Sequence, residues 1–381
     1  MTSLCDIRKE LIYGNLNFRK KISSHFFIKT DGFTLIMTTI TNNYRLYKLL
    51  GRLSRCCIQT QSRNVTNSTA RKKRVDIFNK EKERQLSLIR RIEKIQVEHK
   101  GPPEDCTLIM NKDLSTPFNC AMHIQELLMN RSVLALVNGK PWDMHRPLVE
   151  DCELTFLHEK DEDPYLVNQA IWRSGSFILG HILETAFKDQ HYVELCCFPP
   201  PSVKSGSFIY DVDLKMPNWK PTKMELNVLS RLGGRLQYED LRFERLEVDA
   251  SIAQKMFEDN RFKKVQVEQI AAKSDSGSSI TLYRMGDHID MTGGPLISHT
   301  GQINRFAVTG IHEIESPDYG ALQRVQGIII PANLSIHYWT FEWLAERAAQ
   351  FNAAGIPTKT GYNTYKANKE DKIHEDLDLG G

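Results

Sequence analysis

The sequence predicts an α+β fold in which a small sheet-based module is followed by a larger mixed domain. Short segments with strand-like alternation lie beside segments with helical periodicity throughout residues 95–350. The chain has 381 residues, of which 41% are hydrophobic, a composition that is ordinary for globular protein. A chain of this length has room for about two to three domains.

The first quarter of the chain differs in charge from the rest. Residues 1–94 carry 21 Lys and Arg against 7 Asp and Glu, whereas residues 95–381 carry 29 against 40. A basic arm on an acidic body indicates a polyanionic partner or a targeting segment rather than a basic catalytic surface.

Residues 1–70 have the composition of a mitochondrial presequence. No acidic residue lies between Asp31 and Asp76, and the four leucines of "YRLYKLLGRLSR" share one face of a predicted helix whose arginines and lysine lie largely off that face. Met37 begins a segment that makes a better presequence than the residues before it. The segment predicts a location in the mitochondrial matrix, and a membrane-surface or RNA-binding helix is the alternative.

Residues 71–94 form a predicted basic helical arm. This segment contains ten basic and four acidic side chains in a helix-forming composition. Its clustered cations favour contacts with RNA phosphates over simple solvation, with an affinity that falls as salt rises. The candidate RNA-binding residues are Arg71, Lys72, Lys73, Arg74, Arg90 and Arg91.

Residues 95–163 read as a β-grasp module. The segments "KIQVEH" and "CTLIM" alternate as strands, "NCAMHIQELLMNR" has helical period, and "VLALV" and "ELTFLH" are further strands. Asn138 and Gly139 form a predicted hairpin turn between them. The charged segment "HEKDED" and Pro164 are predicted to close the module as a linker.

Residues 164–351 form the predicted larger domain, and residues 352–381 a predicted disordered tail. The segment "WRSGSFILGH" begins a predicted helix, and further helices are expected around residues 222–232 and 246–259. Strands are expected near residues 264–268 and 280–284, and "YWTFEWLAERAAQF" is a predicted long helix. Asp211 and Asp213 alternate with apolar residues, which predicts a solvent-facing, structural role for both carboxylates.

The sequence predicts neither a metal site nor a cofactor site. The eight cysteines form no C-x-x-C pair, which disfavours a disulfide framework, and Cys120 with His123 could supply at most half of a metal site. No apolar run is long enough to span a bilayer. Four tryptophans are expected in the core rather than as base-stacking platforms: Trp142, Trp172, Trp219 and Trp339.

The order of these segments resembles the N-terminal half of threonyl-tRNA synthetase, a TGS domain followed by an editing domain. The resemblance covers about residues 95–350 and is carried by "ALVNGKPWDM", "WRSGSFILGHILETAF", "FIYDVDL", "HIDMTGGPLI" and "LQRVQG". It implies that the four editing side chains of the family, H-x-x-x-H and C-x-x-x-H, fall here on Arg173, Phe177, Thr292 and Leu296. None of these four can act as a general base near neutral pH or as a metal ligand.

The resemblance therefore implies a protein without aminoacylation or editing activity. Together with the presequence-like leader and the basic arm, it resembles the mitochondrial large-subunit ribosomal proteins related to that synthetase. This implies a structural constituent of the large subunit whose partners are its rRNA and other ribosomal proteins, with no small-molecule substrate and no membrane insertion. The synthetase's ATP-binding core has no counterpart in the sequence.

Two other functions remain open from the sequence. A free-standing deacylase acting on mischarged tRNA(Thr) could use a rearranged set of side chains, namely His181, Lys264 and Asp290, of which the last two fall near polar pocket positions of the family. A tRNA-binding or regulatory TGS protein outside the ribosome is the second possibility.

Overall fold

A computed structural model describes residues 29–30, 33–34, 65–274, 277–359 and 361–363. The chain divides into two compact units, Met1–Asn64 and Val65–Gly381. In the first unit, β1 (Lys29–Thr30) pairs antiparallel with β2 (Phe33–Thr34). The predicted presequence helix lies outside the described residues.

The second unit begins with α1 (Asn67–Leu88), which starts at a capping box formed by Thr66 and Thr69. The sequence predicts a basic helical arm over residues 71–94. The structure has a helix over most of this range, but it begins four residues earlier and ends at Leu88. It packs against the larger domain. Phe78 is fully buried there, in one apolar cluster with Leu282 and Ile289.

The β-grasp prediction is confirmed by a five-stranded sheet with two short helices. The elements are β3 (Lys94–His99), β4 (Cys106–Asn111), α2 (Pro117–Ile124), α3 (Glu126–Arg131), β5 (Leu134–Val137), β6 (Lys140–Trp142) and β7 (Cys152–Leu157). The strand order is β4-β3-β7-β5-β6, in which β3 and β7 are parallel and the other pairs antiparallel. Asn138 and Gly139 both adopt positive φ at the β5–β6 turn, as the hairpin requires. The single helix expected here is broken at Gln125, whose backbone is extended.

The larger domain has two antiparallel sheets, one of four strands and one of three. Its central helix is α4 (Tyr165–Ala186), which is buried along most of its length. The first half continues with β8 (Glu194–Cys197), β9 (Phe208–Asp213), α5 (Lys223–Glu239), β10 (Phe243–Asp249), α6 (Ala250–Met256) and α7 (Arg261–Ala272). The second half contains β11 (Ser279–Met285), β12 (His288–Met291), β13 (Ile303–Ser316), β14 (Gly320–Pro331) and α8 (Tyr338–Ala348).

Two predictions in this domain are wrong. Residues 264–268 lie in α7 rather than in a strand, because Asn260 caps the helix by accepting hydrogen bonds from the backbone N–H groups of Phe262 and Lys263. Residues 246–249 lie in β10 rather than in a helix, where they pair with β11.

The tail predicted to be disordered contains an ordered hairpin, which corrects that prediction for its first part. β15 (Ile356–Thr358) pairs antiparallel with β16 (Gly361–Asn363). The hydroxyl of Ser316 in β13 donates a 2.7 Å hydrogen bond to the Pro357 carbonyl, which fixes the hairpin to the main sheet. Among the described helices, none is long and apolar enough to cross a membrane.

Candidate functional site

The first two of the four predicted editing positions lie on α4, and each has a structural contact. The Arg173 guanidinium donates a 2.9 Å hydrogen bond to the Pro295 carbonyl, and burial lowers its pKa. Phe177 is fully buried, with its ring centroid 4.8 Å from that of His288 in an edge-on arrangement. Arg173 therefore holds the loop after β12, and Phe177 fills core space.

The other two positions, Thr292 and Leu296, follow β12 and lie in different surroundings. Leu296 is fully buried, and its backbone N–H donates a 2.9 Å hydrogen bond to the Asp143 carboxylate. Thr292 instead lines a cavity of about 190 Å³. Arg173, Phe177 and Leu296 are not among the described residues that line this cavity, so the four positions do not converge on one pocket.

Asp143 is a residue that the sequence analysis missed, and it joins the β-grasp domain to the larger domain. Its carboxylate accepts a hydrogen bond from the Tyr283 hydroxyl at 2.8 Å in addition to the one from Leu296. Burial raises the pKa of Asp143 and raises that of Tyr283 well above its ordinary value. The backbone segment that carries editing side chains in the synthetase pattern is thus held here by the neighbouring domain.

The cavity that Thr292 lines has Lys263 at its wall, and Lys263 is held there by the fully buried Asp290. Its carboxylate pairs with the Lys263 ammonium and accepts a hydrogen bond from the Tyr210 hydroxyl. Lys263 also donates to Tyr210 at 3.0 Å, and burial raises the pKa of Tyr210 well above its ordinary value. These three buried side chains satisfy one another, so the Asp290 carboxylate is not a free base.

The expectation that Lys264 occupies this wall is wrong by one residue. Lys264 is exposed on α7, whereas Lys263 is buried beside Asp290, because the cap at Asn260 sets which side chains of α7 face the core. His181 lies elsewhere, on α4, with its Nδ1 3.7 Å from an oxygen of Asp287. His181, Lys264 and Asp290 therefore do not form the set that a deacylase would need.

The C-terminal hairpin forms the opposite wall of the cavity. The Tyr362 hydroxyl lies 2.7 Å from the Asp211 carboxylate and 3.0 Å from the Cys197 carbonyl. Asp211 is fully buried, which corrects its predicted place on a solvent face: β9 lies between β14 and β8 with both faces covered. Arg324 neutralises Asp211 with two hydrogen bonds of 2.8 and 2.9 Å, a geometry typical of buried guanidinium–carboxylate pairs.

Three of the six predicted RNA-binding cations are neutralised within the protein. Arg74 is buried and donates a 2.6 Å hydrogen bond to Glu184, Arg71 pairs with Asp287 at 3.0 Å, and Lys73 pairs with Asp259 at 2.8 Å and also with Glu258. Each of the three faces the larger domain, where its charge is already paired with a carboxylate.

The other three cations remain exposed. Lys72, Arg90 and Arg91 have no carboxylate within 4.0 Å in the part of the chain that the structure describes. Arg90 and Arg91 follow the end of α1 and line a surface depression of about 410 Å³ together with Lys112 and the acidic Glu93 and Asp113. Lys72 lies within α1. All three cations are accessible to phosphates.

The remaining site predictions concern metals and tryptophans. The described residues contain no group of three or more His, Cys, Asp or Glu that could hold a metal ion. Trp142, Trp172 and Trp219 are partly buried, whereas Trp339 is 61% exposed on α8, which contradicts its expected place in the core.

Two domain families match the chain. The TGS domain matches residues 109–158, and the threonyl and alanyl tRNA synthetase second additional domain matches residues 280–325. The large ribosomal subunit protein mL39 of Drosophila melanogaster is 41% identical over 303 residues, which is 79% of this chain and 90% of that protein.

Cytoplasmic threonine–tRNA ligases are more distant relatives. Ligase 2 of Bos taurus is 33% identical over 238 residues, and ligase 1 of Homo sapiens is 32% identical over 231 residues. The matched segments cover about 60% of this chain but only 30% and 29% of the two ligases. From its identity to the Drosophila protein over nearly the whole of that protein, the chain belongs to the mL39 family of large ribosomal subunit proteins, and it shares two domains with threonine–tRNA ligases.

Proposed function

We propose that this protein is a structural constituent of the mitochondrial large ribosomal subunit, located in the matrix, and that it supports mitochondrial translation by binding. The observation that carries this proposal is the 41% identity to the Drosophila mL39 protein across 90% of that protein. The presequence-like composition of the leader supports the mitochondrial location.

A role without editing chemistry is supported by the residues at the former catalytic positions. A deacylase needs a group that accepts a proton near neutral pH or a metal that activates water. Arg173, Phe177, Thr292 and Leu296 provide neither, and Asp290 is neutralised by Lys263. The remaining cavity is bordered by the protein's own C-terminal hairpin.

The exposed cations at the start of the second unit are proposed to bind large-subunit rRNA. Lys72, Arg90 and Arg91 are the retained candidates, each contributing to a salt-dependent affinity with a slope of about −0.7 to −0.9 per phosphate. The body of the chain carries 29 Lys and Arg against 40 Asp and Glu in residues 95–381, so other ribosomal proteins are its proposed neighbours over much of that surface.

The domain organisation follows from the same reasoning. We place the presequence within the leader of residues 1–70, upstream of the Thr66 capping box at which α1 begins. We assign residues 95–163 to the TGS-like domain and residues 164–351 to the catalytically degenerate editing-like domain. N-terminal sequencing of the mature protein is expected to give a start between the leucine-rich segment and Thr66.

Sedimentation of detergent-lysed mitochondria on a sucrose gradient tests the proposed function. We expect the protein to comigrate with the large subunit and the monosome at moderate salt. Migration with light soluble protein alone would contradict the proposal. In a parallel assay, the purified protein should leave seryl-tRNA(Thr) intact, whereas turnover lost on His181→Ala would establish a deacylase instead.

A further inference from the structure

The helix α5 has a buried face whose orientation is fixed by close packing. Leu229, Gly233 and Leu236 lie on this face and are buried against β13 and α4. A Cβ atom at Gly233 would lie 2.3 Å from Cδ1 of Phe306, so only glycine permits this approach. The opposite face of α5 is therefore held toward solvent.

That opposite face carries an exposed stripe that mixes apolar and cationic side chains. Its members are spaced by four, three, four and three residues, which places them in one line along the helix. They are Met224, Val228, Arg231, Arg235 and Tyr238. Tyr238 is 85% exposed and Met224 is 77% exposed, values that a side chain without a partner would show.

The two arginines of the stripe are unneutralised. Among the described residues, no carboxylate lies within 4.0 Å of Arg231 or Arg235, in contrast to Arg71 and Arg74 of α1. One acidic side chain near the start of the helix, Glu225, is engaged by the Thr222 backbone and hydroxyl in a capping box. A second, Glu239, is exposed four residues after Arg235 but forms no ion pair with it within 4.0 Å. The stripe itself carries two cations and no anion, so an anionic partner is complementary to it.

The spacing of these groups selects the class of anion. Arg231 and Arg235 are one helical turn apart, with Cβ atoms about 5–6 Å apart. Their two guanidinium groups can therefore reach neighbouring phosphates of one strand. Tyr238, one turn further on, offers an exposed ring on which a base can stack. A single-stranded nucleic acid supplies both features, a row of phosphates and bases that stack on an aromatic ring.

We propose that the exposed face of α5 binds a single-stranded segment of RNA, with Arg231 and Arg235 on successive phosphates and Tyr238 stacked on a base. The proposal rests on the proposed ribosomal function for the identity of that RNA, which is rRNA. It adds a second RNA-binding surface, separate from the basic residues near α1, on the domain whose charge is otherwise acidic.

Binding of the full chain to a labelled 20-nucleotide oligouridine tests the proposal by fluorescence anisotropy. The double variant Arg231→Glu/Arg235→Glu should lose affinity at least about tenfold, and its salt slope should be smaller by about 1.4. Lys255→Glu/Lys264→Glu is the matched control, because both lysines are exposed on α6 and α7 and the change in net charge is the same. Tyr238→Ala should weaken binding about fivefold or more without changing the salt slope.

Equal affinity of the stripe variant and the control would overturn the proposal, since the effect would then be one of net charge alone. Ultraviolet cross-linking of intact large subunits gives the second measurement. A nucleotide adduct on the peptide containing Tyr238 is expected, and a cross-link to another protein at that position would overturn the proposal. Absence of the protein from the subunit fraction would instead contradict the proposed function, so the two failures are distinguishable.

Discussion

The helices α1 and α5 both carry clustered cations, and they use them in opposite ways. In α1, Arg71 and Arg74 face the larger domain and are neutralised by carboxylates there. In α5, Arg231 and Arg235 lie opposite the buried face and have no such partner among the described residues. The comparison shows that accessible positive charge depends on which helix face meets the core, and much less on the density of basic residues along the sequence.

The largest effect is expected from breaking the buried pair that anchors α1. Arg74→Met should lower the free energy of unfolding by about 3–5 kcal/mol, because it leaves the Glu184 carboxylate buried without its guanidinium. Urea denaturation at pH 7 measures this value. Lys72→Met, on the exposed face two residues earlier, is the control and should change it by less than about 0.5 kcal/mol. Equal effects of the two variants would refute an anchoring role for the pair.

The anchor of α1 should also be sensitive to acid, unlike the apolar buried face of α5. His181 lies close to Glu184 and Arg71. Burial, reinforced by the neighbouring His288, lowers the pKa of His181 to about 4. The unfolded chain binds this proton near pH 6.5, so the folded state loses stability as the pH falls from about 7 to 4. The full loss from this group is at most about 3 kcal/mol.

Glu184 acts in the same direction at lower pH. Burial alone would raise its pKa, but Arg74 and His288 outweigh burial and hold the pKa well below its ordinary range. Stability from this carboxylate is therefore present above the ordinary glutamate pKa and is lost as the pH falls below it. Unfolding curves of the protein and of His181→Gln between pH 4 and 7 separate the two groups. The variant should show a flatter dependence, and an unchanged slope would contradict the assignment to His181.

A smaller effect is expected from disturbing the packing of α5 against the core. Gly233→Ala should cost about 1–3 kcal/mol because its Cβ would collide with Phe306. Gly234→Ala provides a matched control on the same helix, since nothing lies within 4 Å of a Cβ there. This control should stabilise the protein by about 0.5–1 kcal/mol through helix propensity. Thermal unfolding of both variants tests the difference, and destabilisation of equal size would disprove the close approach.

The smallest effect is expected from the outermost cation of the α1 contact. Lys73 is partly exposed and pairs with Glu258 and Asp259. Lys73→Ala should lower the free energy of unfolding by about 0.2–1 kcal/mol at low salt and by less at high salt. Denaturation in low and high NaCl measures the change, and a loss independent of salt would point to packing rather than charge.

The β-grasp domain was predictable from the sequence because its strands alternate and its turn carries Asn138 and Gly139. The resemblance to the synthetase also located Arg173, Phe177, Thr292 and Leu296 on the segments where the structure has them. These features depend on local residue patterns or on the order of segments, and a single sequence contains both kinds of information.

Other features depend on contacts between distant residues, and the sequence did not reveal them. Asp211 is expected on a solvent face, but it is buried and its carboxylate pairs with Arg324, more than one hundred residues later. The choice of Lys263 over Lys264 depends on the cap that sets the rotation of α7, and the role of Arg74 depends on Glu184. In each case a charged side chain belongs to the interior only because of a partner that periodicity does not identify.

The packing of α1 has a consequence for the order in which the chain can fold. A presequence brings a chain into the matrix N-terminus first, so α1 enters before its partners: Arg74 bonds to Glu184 and to the carbonyl of Ile289, 110 and 215 residues later. Until those residues have entered, the Phe78 face has no core to pack against. The first helix of the second unit to enter is therefore among the last to pack.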